Sequence, residues 1–283
     1  MKKTILPIAA FSFLIMTAGT TNAQIFKKLK DKVSSKIENK VDNAVDNVLD
    51  GSKTTTDSAE KSVSRGTNSK IGQLSTADYS FTAGSQLLYD DNFIQDSVGD
   101  MAHNWKSSGG GSIATAANEP GRWLFLKEFT TYKLKRSESL PENFTVEFEI
   151  LTESKDNAKD LNSLSFGFAH DNTISSYIGD AYNENAITGT QIHYWNKEII
   201  NSSSDTKIYN TIKFPLAEYA VAKMKVAITV KNKHMQVFLD KVKVLDTDMF
   251  GRDEEKKFFY ISTDTKLDNE ARIGVGNFKI AAL

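Results

Sequence analysis

From Asn143 to Ile150 the apolar residues Phe144, Val146, Phe148 and Ile150 alternate with polar neighbours, and a period of two commits a segment to lie half-buried in a sheet. The same period returns in Ala222, Met224, Val226, Ile228 and Val230, with Lys223, Lys225, Thr229 and Lys231 on the opposite face. Asn232-Lys233 then turns into Met235 to Leu239, and Asp240-Lys241 into Val242 to Leu245, which predicts three consecutive antiparallel strands. Further strands are expected at 122–126, 164–168, 191–195, 208–214, 257–262 and 272–281. In the last, apolar parity moves from Ile273 and Val275 to Phe278 and Ile280, the mark of a bulge near Gly276-Asn277. Many short strands with no long helices between them argue against a βαβ fold. They predict an all-β, antiparallel two-sheet jelly-roll sandwich over residues 79–283.

The chain ahead of the sandwich has other periods. Lys2 and Lys3 precede an apolar run from Ile5 to Met16, and Thr21-Asn22-Ala23 supplies small residues, so residues 1–23 read as a cleavable signal peptide. Its loss leaves a net charge of about −3. No later stretch approaches 18 apolar residues, so no transmembrane segment is expected in the mature chain, which is expected to be exported to the periplasm or beyond. Phe26, Leu29, Val33, Ile37, Val41, Val45 and Val48 form one stripe of an amphipathic helix over 24–51, stopped by Gly51. Lysines fill its first half, and Asp42, Asp46 and Asp50 load its second, against the helix dipole. It is expected to self-associate or to touch an anionic membrane surface, the bland alternative being a solvated spacer. Residues 52–78, rich in Ser, Thr, Gly, Asn and Lys, read as a flexible linker.

The segments Tyr79-Ser80-Phe81, Tyr89-Asp90-Asp91-Asn92-Phe93, Val98-Gly99-Asp100, Trp105, Gly121-Arg122-Trp123-Leu124 and Leu140 to Glu149 carry a resemblance. Together they look like the laminin-G-like, concanavalin-A-like domain that precedes the OmpA-type domain in some bacterial envelope proteins. The ending Ile273 to Ala281 is similar to the final strand of that group, though Met101-Ala102 stand where the group has a proline. The resemblance implies a jelly-roll sandwich and an envelope setting. The chain ends at Leu283, so the peptidoglycan-binding OmpA-type domain is expected to be absent.

Composition narrows the chemistry. Thirty-five Lys and Arg against 36 Asp and Glu argue against nucleic acid as a partner. The absence of cysteine excludes zinc fingers, thiol catalysis and lipid attachment through an N-terminal cysteine. His103, His170, His193 and His234 have no metal-ligand spacing, no Gly-x-Ser-x-Gly occurs, and Gly109-Gly110-Gly111 lacks the lysine of a phosphate loop. No cofactor is expected beyond a structural calcium at Asp90, Asp91 and Asn92. Glu147 and Glu149 share one strand face, as a glycosidase pair would, but no third acid continues the register, and a wet sheet face explains them. Lys223, Lys225, Lys231, Lys233, Lys241 and Lys243 likewise read as a solvated face, with an anionic envelope polymer as the sharper alternative.

Sugars stack on aromatic faces, and Tyr177, Tyr182, His193 and Trp195 cluster in a polar segment with Asp180, Asn183, Asn185 and Gln191. These four are the candidate ligand residues. Strand alternation would place His193 and Trp195 on one face and Ile192 and Tyr194 on the other, while Trp105 and Trp123 are expected in the core. The function expected is a noncatalytic β-sandwich module that binds carbohydrate or another envelope component. The alternatives are a sugar-active hydrolase on the same fold and a purely structural assembly component.

Overall fold

A computed structural model describes residues 74–283 apart from 175, 176, 184, 253–255 and 265. The signal peptide, the amphipathic helix and the linker as far as residue 73 lie outside the described residues. The described residues belong to one compact unit, Asn68–Leu283. Its strands run β1 (Gln86–Asp91), β2 (Trp105–Ser107), β3 (Ser112–Ala114), β4 (Trp123–Phe125), β5 (Thr131–Leu134), β6 (Asn143–Glu153), β7 (Ser163–Ala169) and β8 (Ala186–His193). They continue with β9 (Glu198–Ser203), β10 (Tyr209–Lys213), β11 (Val221–Lys231), β12 (His234–Leu239), β13 (Val242–Asp248), β14 (Phe258–Thr263) and β15 (Arg272–Ala282).

These strands form two antiparallel sheets. One has eight strands in the order β13-β12-β11-β6-β15-β4-β3, with β1 also on β15; the other has seven, β10-β9-β8-β7-β14-β5-β2. The alternating residues of β6 and β11 do what their period requires. Phe144, Val146, Phe148, Ile150, Met224, Val226, Ile228 and Val230 all enter the core between the sheets. Phe148 lies at its centre, with ring centroids 5.3 Å from Phe166 and 5.6 Å from Phe259 on the facing sheet. The β11-β12-β13 meander and the bulge in β15 are present as expected: the pairing of β15 with β6 slips between Gly276 and Lys279, and Asn277 takes a φ of 50°.

Two expectations need correction. Trp105 is in the core, but Trp123 is buried on the outer face of the eight-stranded sheet with Phe125 and Leu151. Glycines make room for it, because a Cβ on Gly276 would come within 2.6 Å of the Trp123 ring. The strand expected at 191–195 instead spans Ala186–His193, and Tyr194 to Lys197 form the turn into β9. Lys197 closes that turn with a φ of 58°, so Trp195 stands at a hairpin tip, not on a strand.

The charged residues lie on the outer face of the eight-stranded sheet. Lys223 Nζ is 2.8 Å from Glu119 and 3.9 Å from Glu149, and Glu149 also accepts from Asn277 Nδ2 at 2.7 Å. Near its edge, the ring nitrogens of His234 meet Asp248 at 2.9 Å and Asp246 at 2.7 Å. Burial alone would lower the His234 pKa, but the two carboxylates outweigh it and raise it. Burial also opposes ionisation of Asp246, yet hydrogen bonds from Lys243, His234 and Gln236 bring its pKa down to about 2. A raised histidine stabilises below its unfolded pKa and stops doing so as pH rises through the folded one; a lowered aspartate stabilises above its unfolded pKa and stops as pH falls. His234→Gln is therefore expected to lower the thermal midpoint by about 1–2 °C near pH 5.5, as suits a half-exposed ion pair, and to have no effect near pH 8.5. Differential scanning fluorimetry at the two pH values checks this.

Candidate functional site

Two-sheet packing leaves two outer faces, and the candidate residues gather on that of the seven-stranded sheet. Because Phe166, Phe168, Ile192, Ile199, Phe259 and Ile261 point inward, their neighbours point outward. Pairing sets these outward residues in rows across the sheet. Ser163, His193, Glu198 and Lys213 form one row; Ser262, Ser165, Gln191, Ile200 and Thr211 the next; Tyr260, Gly167, Gly189, Ser202 and Tyr209 a third.

The described residues between β7 and β8, 170–174, 177–183 and 185, lie over part of this face. Ile178 N donates to Thr131 Oγ1 at 2.8 Å, Ser165 Oγ and Gln191 Nε2 donate to the Gly179 carbonyl at 2.7 and 2.9 Å, and Asn172 Nδ2 donates to the Leu134 carbonyl at 2.9 Å. Ile178 completes a small apolar cluster with Ala169, Ala186 and Tyr260. The paired glycines Gly167 and Gly189 matter here: a Cβ on Gly189 would lie 3.1 Å from Ala181 N. The loop thus covers β5, β14, β7 and part of β8; beyond it Ile200 and Ser202 of β9 are buried, and the strip left open is the outward row of β10, Tyr209, Thr211 and Lys213. From the row of Glu198 to that of Ser202 is four residues, roughly 13 Å of strand.

Aromatic side chains stand around this open strip. Trp195 is 52% exposed at the hairpin tip, and its ring centroid is 5.9 Å from that of His193. At the other end Tyr182 is 52% exposed, with its hydroxyl 3.3 Å from the Ser203 carbonyl, and Tyr209 is 63% exposed one residue along the pairing of β9 and β10. Tyr177 is further in, against Phe129 at 4.6 Å, where burial and the nearby Asp264 and Asp180 carboxylates raise its pKa. The expectation that His193 and Trp195 share a side holds through the turn rather than through alternation, and Tyr194 is buried on the core side. Tyr209 did not stand out in the sequence; its exposure follows from β10 being an edge strand, which one strand's period does not reveal.

The polar groups on the strip are unevenly engaged. Glu198 accepts from Lys213 Nζ and Asn196 Nδ2, both at 2.6 Å, and Asp264 accepts from Ser163 Oγ at 2.7 Å. His193 lies between these two carboxylates, yet neither of its ring nitrogens has a hydrogen-bond partner. Burial lowers its pKa, although Asp264 and Glu198 pull the other way, so the imidazole is neutral at pH 7.

The calcium expectation meets a different environment. Asp90, Asp91, Asn92, Gln95, Asp96 and His103 line a cleft of about 400 Å³ away from this face. Asp91 accepts from Tyr89 Oη at 2.9 Å, Trp105 Nε1 at 3.2 Å and Phe93 N at 3.0 Å, while Asp96 accepts from His103 N at 2.7 Å. These carboxylates anchor the chain around Trp105. Among the described residues no three His, Asp or Glu side chains converge as metal ligands. Nor is any described helix long and apolar enough to cross a membrane.

Comparison with solved structures finds the same two-sheet fold in another protein. The Emp47p carbohydrate recognition domain aligns with 71% of this chain and 99% of its own length, at 13% identity and a TM-score of 0.51. The lumenal domain of VIP36 in a Ca2+-bound form covers 66% of this chain and 87% of its own, at 10% identity and a TM-score of 0.46. The carbohydrate-binding module CBM66 from Bacillus subtilis covers 63% and 96%, at 14% identity and a TM-score of 0.41. At 13% identity the Emp47p match establishes a shared fold and nothing finer. No protein-family model and no curated protein matches the chain.

One buried cation helps hold the loop down. Lys133 faces outward on β5, is fully buried, and donates from Nζ to the Asp171 carbonyl at 3.0 Å. Desolvation, countered by Asp171 and reinforced by Lys106, lowers its pKa to about 8. Between about pH 8 and pH 10 the unfolded chain keeps a proton here that the folded chain has released, so stability tied to Lys133 rises with pH. The thermal midpoint of Lys133→Met relative to wild type is expected to fall between pH 7 and pH 9.5; a rise across that interval contradicts the assignment.

Proposed function

We propose that this chain is an exported, noncatalytic carbohydrate-binding module of the cell envelope, and that sugar lies along the exposed outward face of β10, between Trp195 at one end and Tyr182 and Tyr209 at the other. The observation that carries the reading is the trio Trp195, Tyr182 and Tyr209, each more than half exposed around one sheet face. Large aromatic side chains left in water at the rim of a polar strip offer flat apolar faces to the C–H side of a pyranose. Hydroxyl and amide groups beside them suit a ligand made of hydroxyls. The fold shared with the Emp47p carbohydrate recognition domain is compatible with this use.

Binding is favoured over hydrolysis because the carboxylates of the strip, Glu198 and Asp264, are already occupied by Lys213, Asn196 and Ser163. Glu147 and Glu149, the other carboxylate pair, belong to β6 in the opposite sheet. On this reading the signal peptide exports the chain, the helix over 24–51 tethers it by self-association or membrane contact, and any calcium at Asp90 to Asn92 is structural.

The test is retardation of the full chain in native gels that contain laminarin, xylan, galactan, polygalacturonate or alginate. At least one polysaccharide should retard it. Trp195→Ala should weaken that retardation roughly tenfold, the loss of one stacked ring, with an unchanged thermal midpoint. Equal retardation of wild type and Trp195→Ala would remove the strip as the sugar surface.

A further inference from the structure

A sheet ends in rows of unpaired main-chain groups, and stable folds blunt those edges with short strands, bulges or a covering segment. Among the described residues this sandwich does so at every edge but one. β2 and β3 are three residues each, and the pairings of β1 and β13 carry a register shift. β10 has none of these devices. Tyr209–Lys213 is five residues long, pairs with β9 in unbroken register and has no neighbour on its other side among the described residues. Its main chain turns outward at every second residue. Phe214 N donates to the Lys197 carbonyl at 3.0 Å and Ser203 N to the Ile208 carbonyl at 2.9 Å, so the even-numbered residues direct their N–H and C=O groups toward β9. Those of Tyr209, Thr211 and Lys213 therefore point to the open side. The core is also unfinished here, because Ile208 and Ile212 pack against it yet stay only partly buried.

We propose that a second copy of this chain pairs with this edge, β10 antiparallel to β10 across a two-fold axis perpendicular to the sheet, with Thr211 opposite itself. The two seven-stranded sheets then run on as one. This register is the one the outward groups fit. Thr211 meets its counterpart, and each Tyr209 meets the second copy's Lys213, with N–H and C=O groups facing one another as in the hydrogen-bonded pairs of an antiparallel ladder. On the outward face each Tyr209 ring stands beside the second copy's Lys213 ammonium, and no like charges are opposed. On the inward face Asn210 lies opposite Ile212, and the two Ile212 side chains approach diagonally across the join, where they cover the part of the core that one copy leaves open. With 35 Lys and Arg against 36 Asp and Glu, the chain has no large net charge to keep copies apart. The pairing uses main chain at the edge and leaves the outward face free, so it brings two candidate sugar strips side by side. It stands on the strand edge alone and does not require the strip to take sugar.

The experiment uses the full chain and reads its mass by light scattering during size exclusion. Wild type should have the mass of two chains. Thr211→Pro should have the mass of one and keep the strand circular dichroism of wild type, because the N–H that proline lacks faces away from β9. The chain has no cysteine, so Thr211→Cys gives each copy a single thiol. Opposed residues of such a pair have Cα atoms about 5.5 Å apart, within reach of a disulfide, and Thr211→Cys should cross-link when oxidised with diamide. In the same register the thiols of Lys213→Cys are four residues apart, roughly 13 Å along the strands, and should not cross-link. A wild type with the mass of one chain overturns the proposal, as does a two-chain mass that persists in folded Thr211→Pro. Cross-linking of Lys213→Cys, with or without Thr211→Cys, overturns the register. Cross-linking of neither overturns β10 as the join and assigns a two-chain mass to another surface, such as the helix expected over 24–51. If Thr211→Pro does not fold, the wild-type mass and the two cysteine variants decide. No readout involves polysaccharide, so failure of the pairing and failure of the sugar surface are told apart.

Discussion

Phe148 meets Phe166 and Phe259 across the sandwich and Phe278 beside it, with centroids between 5.0 and 6.0 Å throughout the group formed with Phe259 and Phe278. The rest of the architecture follows from this close aromatic packing. Rings of this size fill the space between the sheets and leave the interior no room for a ligand, so recognition falls to the outer faces and the rims. Each outer face then has to be finished. On the eight-stranded sheet this is done by charge pairs, by Trp123 lying over Gly276, and by Tyr79 and Phe81 packing on Phe238. On the seven-stranded sheet it is done by one loop that stops halfway.

That half-cover is what makes the candidate site. The loop is fastened by hydrogen bonds to β5, β7 and β8 and by the buried amine of Lys133. Past Gln191 the exposed positions are those of β10, flanked by the half-exposed rings of Trp195 and Tyr182, while the unpartnered polar atoms of His193 and Ser202 are buried beside them. Either feature alone is common at a protein surface. Their coincidence within one hairpin sets this strip apart from the acidic cleft near Trp105, whose carboxylates already anchor the chain.

The fold was legible wherever one face of a strand is wet. β6, β11, β12, β13 and β15, including its bulge, could be read from period two because core and solvent impose opposite demands on alternate residues. β9 could not, because both its faces are largely buried and two of its three inward residues are Asn201 and Ser203, satisfied by hydrogen bonds rather than by apolar contact. β8 was found only at its end for the same reason: its inward Thr188 and Thr190 are polar, and its outward Gly189 and Gln191 lie under the loop. The short β1, β2, β3 and β5 are held by tertiary pairing, which leaves no local pattern. Of the candidate site, the aromatic cluster around residues 177–195 was visible as composition. That Trp195 sits on a turn, that Tyr209 joins it and that His193 is unpartnered depend on where distant strands meet, and no single segment carries that information.

Hydroxyl-radical footprinting of the full chain, free and in the presence of the polysaccharide that retards it, tests the sugar surface most directly. Protection of Trp195, Tyr182 and Tyr209, with Leu87 and Val98 remaining as reactive as in the free chain, is the outcome this account requires. Protection confined to the region from Asp90 to Asn104, or to the lysines of β11, with Trp195 unchanged, would contradict it.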